Sequence, residues 1–394
     1  MRFDHAPKRS RSIAVAELAV LLALIALLVT AIVAGGSDGE VAEPARNAVP
    51  ALETGGSETS VTVSTEVPTE SAAPTIDPGT TPPDPEVTVV EAELTAQVEG
   101  PFVDIDVGEA FACGLLSDGR VKCWGGGHAT DATPQDARFA LIDAGHDTAC
   151  GLGVDGRLSC WGFSDYLDVG DEHGPYTSVA LDFGLLCALR HDGAILCSES
   201  EANPEQHRIA SHEFTAVVAG RGTICALEVN GSALCWAENL SDSPLPRAVP
   251  PRGPFEEIYL DVDGFIACAI RTDRSAACWG DAQYIGSDDP VGSFSQIAIG
   301  VFHACGLHLA GSIECWGDNS AGQADAPAGE FVDVSAGAQH SCALSRGGEL
   351  LCWGSGWDGR VDVPGGAFVA VDSRYYRNCA IRLDGAAVCW GRAF

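Results

Sequence analysis

From residue 102 onward the chain alternates apolar and polar positions in short runs. Phe102-Val-Asp-Ile-Asp-Val107, Phe331-Val-Asp-Val-Ser335 and Phe368-Val-Ala-Val-Asp372 each show the period of two that a half-buried strand requires. Two further short runs follow each of these, flanking a turn signal. The eight paired runs read CGLLSDGRVKCWG, CGLGVDGRLSCWG, CALRHDGAILCSE, CALEVNGSALCWA, CAIRTDRSAACWG, CGLHLAGSIECWG, CALSRGGELLCWG and CAIRLDGAAVCWG. Asp-Gly or Asn-Gly between apolar runs marks a tight hairpin. Glycine fills the last turn position in seven units, as Gly119, Gly156, Gly193, Gly231, Gly311, Gly348 and Gly385, and Arg274 stands there in the fifth. A three-residue loop ending in a left-handed residue favours glycine at that place.

Cysteine follows the same rhythm. The pairs are Cys113 and Cys123, Cys150 and Cys160, Cys187 and Cys197, Cys225 and Cys235, Cys268 and Cys278, Cys305 and Cys315, Cys342 and Cys352, and Cys379 and Cys389. They recur every 37 or 38 residues, with one interval of 43, and they account for all 16 cysteines. A fixed period of this size is the signature of a repeat architecture. If Ser117, Asp118 and Gly119 form the loop, Leu116 faces Arg120, Leu115 faces Val121 and Cys113 faces Cys123 at a non-hydrogen-bonded site, where Cα atoms come closest. A disulfide across each hairpin is then within reach. Reduced buried thiols and bridges between neighbouring repeats are the alternatives, and even count and strict spacing favour the hairpin bridges.

Both hairpin faces are apolar. One carries the cysteines with Leu115, Leu152, Leu189, Leu227, Ile270, Leu307, Leu344 and Ile381. The other carries Gly or Ala after the first cysteine and Trp124, Trp161, Trp236, Trp279, Trp316, Trp353 or Trp390 after the second, with Ser198 in the third unit. A sheet buried on both faces lies between other sheets, and small antiparallel sheets stacked radially are the blades of a propeller. The upstream strand and a Gly/Pro-containing loop leave room for three or four strands per repeat. Glu86-Val-Thr-Val-Val-Glu-Ala-Glu-Leu94 is also β-prone and is expected to pair with the last blade and protect its edge.

The succession Phe-x-x-Val-x-x-Gly, Cys-x-Leu, Asp-Gly, Cys-Trp-Gly and Asn-x-x-Gly-Gln resembles the regulator of chromosome condensation repeat. The short, cysteine-bearing form resembles bacterial relatives that include a secreted beta-lactamase inhibitor. The resemblance covers about residues 100–394 and fits best in the sixth unit, with His303, Trp316, Gly322 and Gln323. It implies a seven-bladed propeller, and eight hairpins set the expectation at seven to eight blades. His303 and His340 occur in two units only and read as structural packing.

Upstream the pattern changes. Residues 1–12 carry Arg2, Lys8, Arg9 and Arg11 as a basic cytoplasmic tail, and residues 13–34 are apolar apart from Glu17 and Thr30. At 1.5 Å per residue that run reaches about 33 Å, the length of a membrane-spanning helix. A cleaved signal peptide has a shorter apolar region, so an uncleaved signal-anchor with its basic end in the cytoplasm is expected. Residues 35–98 are rich in Thr, Ser, Pro and Glu and cannot bury a core. They read as a disordered, self-repelling stalk that leads to a propeller at 99–394. The anchor places the propeller in an extracytoplasmic, oxidising space, which agrees with the cysteines.

Net charge is −33, and lysine occurs only at Lys8 and Lys122. A phosphate backbone would be repelled, so nucleic acid is excluded as a partner. No catalytic set, cofactor motif or zinc spacing emerges. Asp165, Asp168, Asp171, Glu172 and His173 do not match a calcium loop and read as a solvated acidic stretch, as do Asp261 and Asp263. Asp288-Asp289-Pro290 reads as a turn. The sequons at Asn230 and Asn239 depend on the host. Two departures from the repeat point to binding loops: Ser198-Glu-Ser-Glu-Ala-Asn203 and the longer connection 241–251. The expectation is a membrane-anchored β-propeller, not an enzyme, that binds another protein through its loops. A secreted inhibitor of an envelope enzyme and a glycan-binding or adhesive module are the alternatives. The glycan alternative requires aromatic rings exposed on one loop face.

Overall fold

The computed structural model describes residues 96–163, 174–182, 185–199, 207–209, 212–237, 249–281 and 289–393. The 13–34 segment, Glu86–Leu94, the acidic stretch 165–173, most of 198–203, 241–248, Asp288 and Asn239 lie outside them. Among the described residues no helix is long and apolar enough to cross a membrane.

Eight antiparallel sheets follow one another along the chain, each built as a three-stranded meander. Their first strands are Phe102–Val107, Leu141–Ala144, Tyr176–Asp182, Phe214–Gly220, Phe255–Leu260, Phe294–Ile299, Phe331–Ala336 and Phe368–Arg374. They open blades 1 to 8. Two blades gain a fourth strand. His207–Ile209 pairs with the third strand of blade 3, and Ala96–Val98 pairs with Ala387–Gly391 of blade 8, with Ala96 opposite Cys389. The edge of blade 8 is thus covered by Ala96–Val98, whereas the stretch expected there, Glu86–Leu94, lies outside the described residues.

The hairpin register is the one the turn chemistry dictates. Leu115 lies opposite Val121 and Cys113 opposite Cys123. The Leu116 N–H donates to Arg120 O (2.8 Å), and Gly119 closes the loop at φ 83°. In blade 5 Arg274 adopts φ 70° at the same place. Each cysteine pair is joined as a disulfide within its own hairpin, with Cα atoms 4.0–4.1 Å apart, and no cysteine is free.

Packing between blades explains the large and small residues. Phe102, Phe139 and Phe294 lie so close over Gly114, Gly151 and Gly306 that an added Cβ would sit 2.4–2.5 Å from the ring. The same phenylalanines contact Trp124, Trp161 and Trp316 of their own blades at centroid distances of 5.5, 5.5 and 6.1 Å. Trp161 enters the seam with blade 1, against Phe111, Cys113 and Leu115. Trp124 reaches back to blade 8, where its Nε1–H points at Cys389 Sγ (3.4 Å). Phe102, Ile105 and Val107 of blade 1 share one buried cluster with Cys379, Ile381 and Cys389 of blade 8, so the succession of blades returns on itself. Each seam is apolar and aromatic, and burial of this kind is the dominant favourable contribution to folding.

Candidate binding face

In every blade the first and third strands run toward the same end. The turn after the first strand and the connection to the next blade therefore share one end, called here the loop end. The turns preceded by cysteine-bearing strands 2 and followed by strands 3 occupy the other.

The first strands carry the polar individuality of the molecule. The residue opposite the first cysteine is Asp106 in blade 1, Asp143 in blade 2, Ser335 in blade 7 and Asp372 in blade 8. Each accepts a hydrogen bond from the backbone of the next blade. Ala144 N–H donates to Asp106 (2.9 Å), Leu181 N–H to Asp143 (3.0 Å), Ser373 N–H to Ser335 (2.8 Å) and Val107 N–H to Asp372 (2.8 Å). In blades 3 to 6 that place is held by Ala180, Val218, Tyr259 and Ala298.

Two residues further along, five blades have glycine. A Cβ at Gly220 or Gly300 would lie 2.3 or 2.2 Å from the carbonyl of the next blade's equivalent residue, so the backbones crowd one another there. The three exceptions are Asp182, Asp261 and Arg374. Arg374 reaches from blade 8 to ion-pair with Asp182 of blade 3 and donates to Ala144 O of blade 2 (3.0 Å). Burial opposes its charge, but the carboxylates of Asp182, Asp106 and Asp143 outweigh that and hold it above the usual arginine value. Its neighbour Tyr375, at φ 48°, donates its hydroxyl to Asp263 of blade 5 (3.3 Å) and accepts Ala338 N–H of blade 7 (2.7 Å). Arg377 donates to Glu109 O of blade 1. One turn of blade 8 thereby ties five other blades together.

Asp261 is fully buried and accepts Ile266 N–H (2.8 Å); burial pushes its carboxyl up to about 7. The reading of Asp261 and Asp263 as a solvated pair is therefore corrected: the first is enclosed, and the second receives Tyr375. Asp289 accepts Cys278 N–H at 3.3 Å. His303 Nε2 bonds Ser341 Oγ (2.7 Å) and His340 Nε2 bonds Asn378 Oδ1 (2.6 Å), each across a blade seam. Burial lowers their values to about 4 and about 3. Gln323, from the Gly-Gln pair, presents its carbonyl to Trp353 Nε1–H (2.9 Å).

Two surface features remain. At the end opposite the loop end, a cleft of about 450 Å³ opens between blades 4 and 5, lined by Glu228, Asn230, Glu256, Glu257 and Arg274. Arg274 pairs with Glu256 (3.2 Å) and Glu257 (3.5 Å), so its charge is met within the cleft. At the loop end, Phe163, Phe265 and Trp357 are 55, 48 and 78% exposed. Trp357 is the one tryptophan outside the repeat. The sequence pattern did not single out Asp182, Arg374, Tyr375 or Trp357. The departure from glycine at the end of Phe-x-x-Val-x-x-Gly was the available signal for Asp182 and Arg374. Among the described residues no group of three His, Cys, Asp or Glu side chains is placed to hold a metal ion.

Three stretches, residues 102–129, 294–323 and 331–359, match the Regulator of chromosome condensation (RCC1) repeat. They fall in blades 1, 6 and 7. The CRINKLY WD40 ectodomain of the receptor kinase ACR4 from Arabidopsis thaliana is similar over 76% of this chain and 97% of its own, at 21% identity and a TM-score of 0.51. The ectodomain of the receptor kinase CR4 from Physcomitrella patens is similar over 75% of this chain and 74% of its own, at 22% identity and a TM-score of 0.51. Prp20p from Saccharomyces cerevisiae covers 74% of this chain and 83% of its own at 13% identity and a TM-score of 0.45. The likeness to the two ectodomains is one of fold. A search of curated proteins gave no match.

Proposed function

We propose that this repeat protein is an extracytoplasmic, membrane-anchored module that binds another protein through the loop end of its blades. The observation that carries this reading is the pairing of all 16 cysteines within their own hairpins. Eight such bridges form and persist in an oxidising space and are rare where glutathione and thioredoxin keep thiols reduced. The apolar run 13–34 supplies the anchor. Recognition rather than catalysis fits a site whose buried charges are spent on holding blades together: Arg374 on Asp182, and Asp106 and Asp143 on backbone N–H groups. The loop end offers what contact surfaces use, exposed aromatic rings beside arginine.

A second reading has one observation in its favour. Phe163, Phe265 and Trp357 expose aromatic rings on the same end, which a glycan-binding surface requires. The two are separated by photo-crosslinking in intact cells from positions 163 and 357, with positions 309 and 383 at the opposite end as controls. A cross-linked protein from the loop end alone supports the first reading. A carbohydrate adduct supports the second. Equal yields from both ends, or a propeller that protease added to intact cells cannot reach, overturns the first.

A further inference from the structure

The eight hairpin turns lie at the end opposite the loop end, and one hydrogen bond ties each of them to the blade that follows. Phe139 N–H donates to Gly119 O (2.8 Å), Phe294 N–H to Arg274 O (2.8 Å) and, across the closure, Phe102 N–H to Gly385 O (2.9 Å). The other five turns repeat this bond at 2.7–2.9 Å. The turns therefore stand in a closed ring with the same link at every step. The first residue of each turn is exposed, and its chemistry alternates around the ring. Blades 2, 4, 6 and 8 carry Val154, Val229, Leu309 and Leu383, whereas blades 1, 3, 5 and 7 carry Ser117, His191, Thr272 and Arg346. The four aliphatic residues are 87, 64, 61 and 74% exposed.

Nothing within a blade calls for these four. Turns favour Gly, Pro, Asn, Asp and Ser, which suit the turn backbone or bond to it, and an exposed side chain adds nothing to the core. Their backbones are nonetheless fixed. Val229, Leu309 and Leu383 N–H donate to Glu213 O, Ser293 O and Ala367 O (3.0, 3.0 and 2.9 Å), so little ordering is needed when the tips are touched. Single exposed apolar residues are ordinary. Four of them at every second step of one ring are a patterned surface.

We propose that this end is an isologous contact between two copies of the chain, stacked hairpin turn to hairpin turn. A face that repeats at every second blade is matched by a surface of the same spacing, and the hairpin end of a second copy has that spacing. A two-fold axis in the plane of the ring, through a pair of opposite blades, carries each aliphatic tip onto another and each polar tip onto a polar one. Eight three-residue turns put 24 residues on each side, within the roughly 20–30 of a standard interface. Charge permits the approach although each chain carries −33. Arg120, Arg157 and Arg190 meet Asp118, Asp155 and Asp192 of their own turns (2.7, 3.7 and 3.1 Å). Salt screens the remaining repulsion, so association strengthens as salt rises. The contact leaves the loop end free and does not depend on what binds there.

Sedimentation of the full-length chain in detergent tests the contact. The expected result is a dimer that tightens as sodium chloride is raised. Val154→Ser/Val229→Ser/Leu309→Ser/Leu383→Ser should weaken it by roughly a hundredfold or more, and Trp357→Ala at the other end should leave it unchanged. A monomeric parent overturns the proposal. So does a dimer that survives the four serines, since self-association then belongs to another part of the chain. A photo-crosslinker at position 309 or 383 leaves the other tips intact and serves if the fourfold variant fails to fold. Between two differently tagged copies it should trap the hairpin turns of the second copy. Adducts with lipid or a foreign protein alone overturn the proposal. Self-adducts carry the mass of the chain and are counted apart from any foreign protein trapped at positions 163 and 357, so either reading can fail without the other.

Discussion

Blades 7, 8, 1 and 2 and blades 3 to 6 are two halves of one scaffold, and they are held at the first strands in different ways. In the first half a carboxylate or hydroxyl from Ser335, Asp372, Asp106 or Asp143 crosses to the backbone of the next blade. In the second, Ala180, Val218 and Ala298 put no side-chain acceptor on that rung, Tyr259 meets the backbone of Ile297 there, and the seams combine apolar contacts such as Ile258 and Ile266 with Gln296 Nε2–H donating to Asp333 Oδ1 (2.9 Å). Hairpins, disulfides and aromatic wedges recur in both halves. The repeat therefore specifies how a blade is made, and the rung opposite the first cysteine specifies how blades are told apart. A charge-assisted hydrogen bond contributes about 1.5–3 kcal/mol only where its acceptor is otherwise satisfied. Arg374 balances the acidic cluster that the polar half accumulates.

The most damaging way to break the contrast is to remove that arginine. Arg374→Leu leaves Asp182 buried without its counter-ion, and the expected loss is about 3–5 kcal/mol in urea unfolding. The Arg374→Leu/Asp182→Leu pair recovers most of it, because an apolar pair of similar volume replaces two desolvated charges. A loss below about 1 kcal/mol in the single variant means the ion pair is not what unites the two halves. Disulfide deletion comes next and should not distinguish them. Cys150→Ala/Cys160→Ala and Cys268→Ala/Cys278→Ala each open a loop with a sequence separation of 10. The chain-entropy argument gives about 3 kcal/mol apiece, and unequal losses would show that a seam, not a hairpin, is being loosened. Asp143→Ala leaves the Leu181 N–H without its acceptor and costs about 1–3 kcal/mol. Asp143→Asn keeps an acceptor and should cost less, which calorimetry can resolve.

The shared scaffold was legible because its causes are local. Asp118-Gly119 sets the turn, the turn sets the register, and the register brings Cys113 to Cys123. The same reasoning holds eight times, including at Arg274, whose positive φ follows from its place in the loop rather than from its side chain. The eight-blade count follows the eight hairpins rather than the seven blades of the resembling family. Blade identity was less legible, since its causes lie between residues distant in sequence. Asp182 and Arg374 are separated by 192 positions, and nothing near either one announces the other. Asp261 read as solvated because two acids beside a glycine usually are. Only the enclosing backbone of the neighbouring blade, with Gly220 against its carbonyl, reverses that.

Buried acids and histidines respond to pH with opposite sign. The Asp261 carboxyl is raised from 3.8 to about 7, chiefly by burial. Between these values the folded state holds a proton that the unfolded chain releases, so its contribution to stability is full below pH 3.8 and is lost as pH rises through 7. His303 and His340 are lowered from 6.5 to about 4 and about 3, again chiefly by burial. Their contribution is full above pH 6.5 and is lost as pH falls toward those values. Asp261→Asn should therefore stabilise progressively from pH 4 to 7 relative to the parent. His340→Gln should remove part of the acid sensitivity below pH 6.5. Thermal midpoints across that range test both, and parallel profiles for Asp261→Asn and the parent would mean that this carboxyl is ionised in the fold.

The smallest effect is the most informative about the loop end. Trp357 and Trp390 belong to the same region of blade 8, and Arg360 touches both through its backbone or side chain, with its carbonyl accepting Trp390 Nε1–H (3.1 Å). Trp390 is 1% exposed, and Trp390→Ala should cost about 3–5 kcal/mol through the cavity it leaves. Trp357 is 78% exposed, and Trp357→Ala should leave stability within about 0.5 kcal/mol of the parent. A fold that ignores the loss of so large a ring has no structural use for it, which leaves contact with other residues or other molecules as its role. A loss above about 1 kcal/mol at position 357 would instead make it an eighth tryptophan wedge of the scaffold and remove it from the binding face.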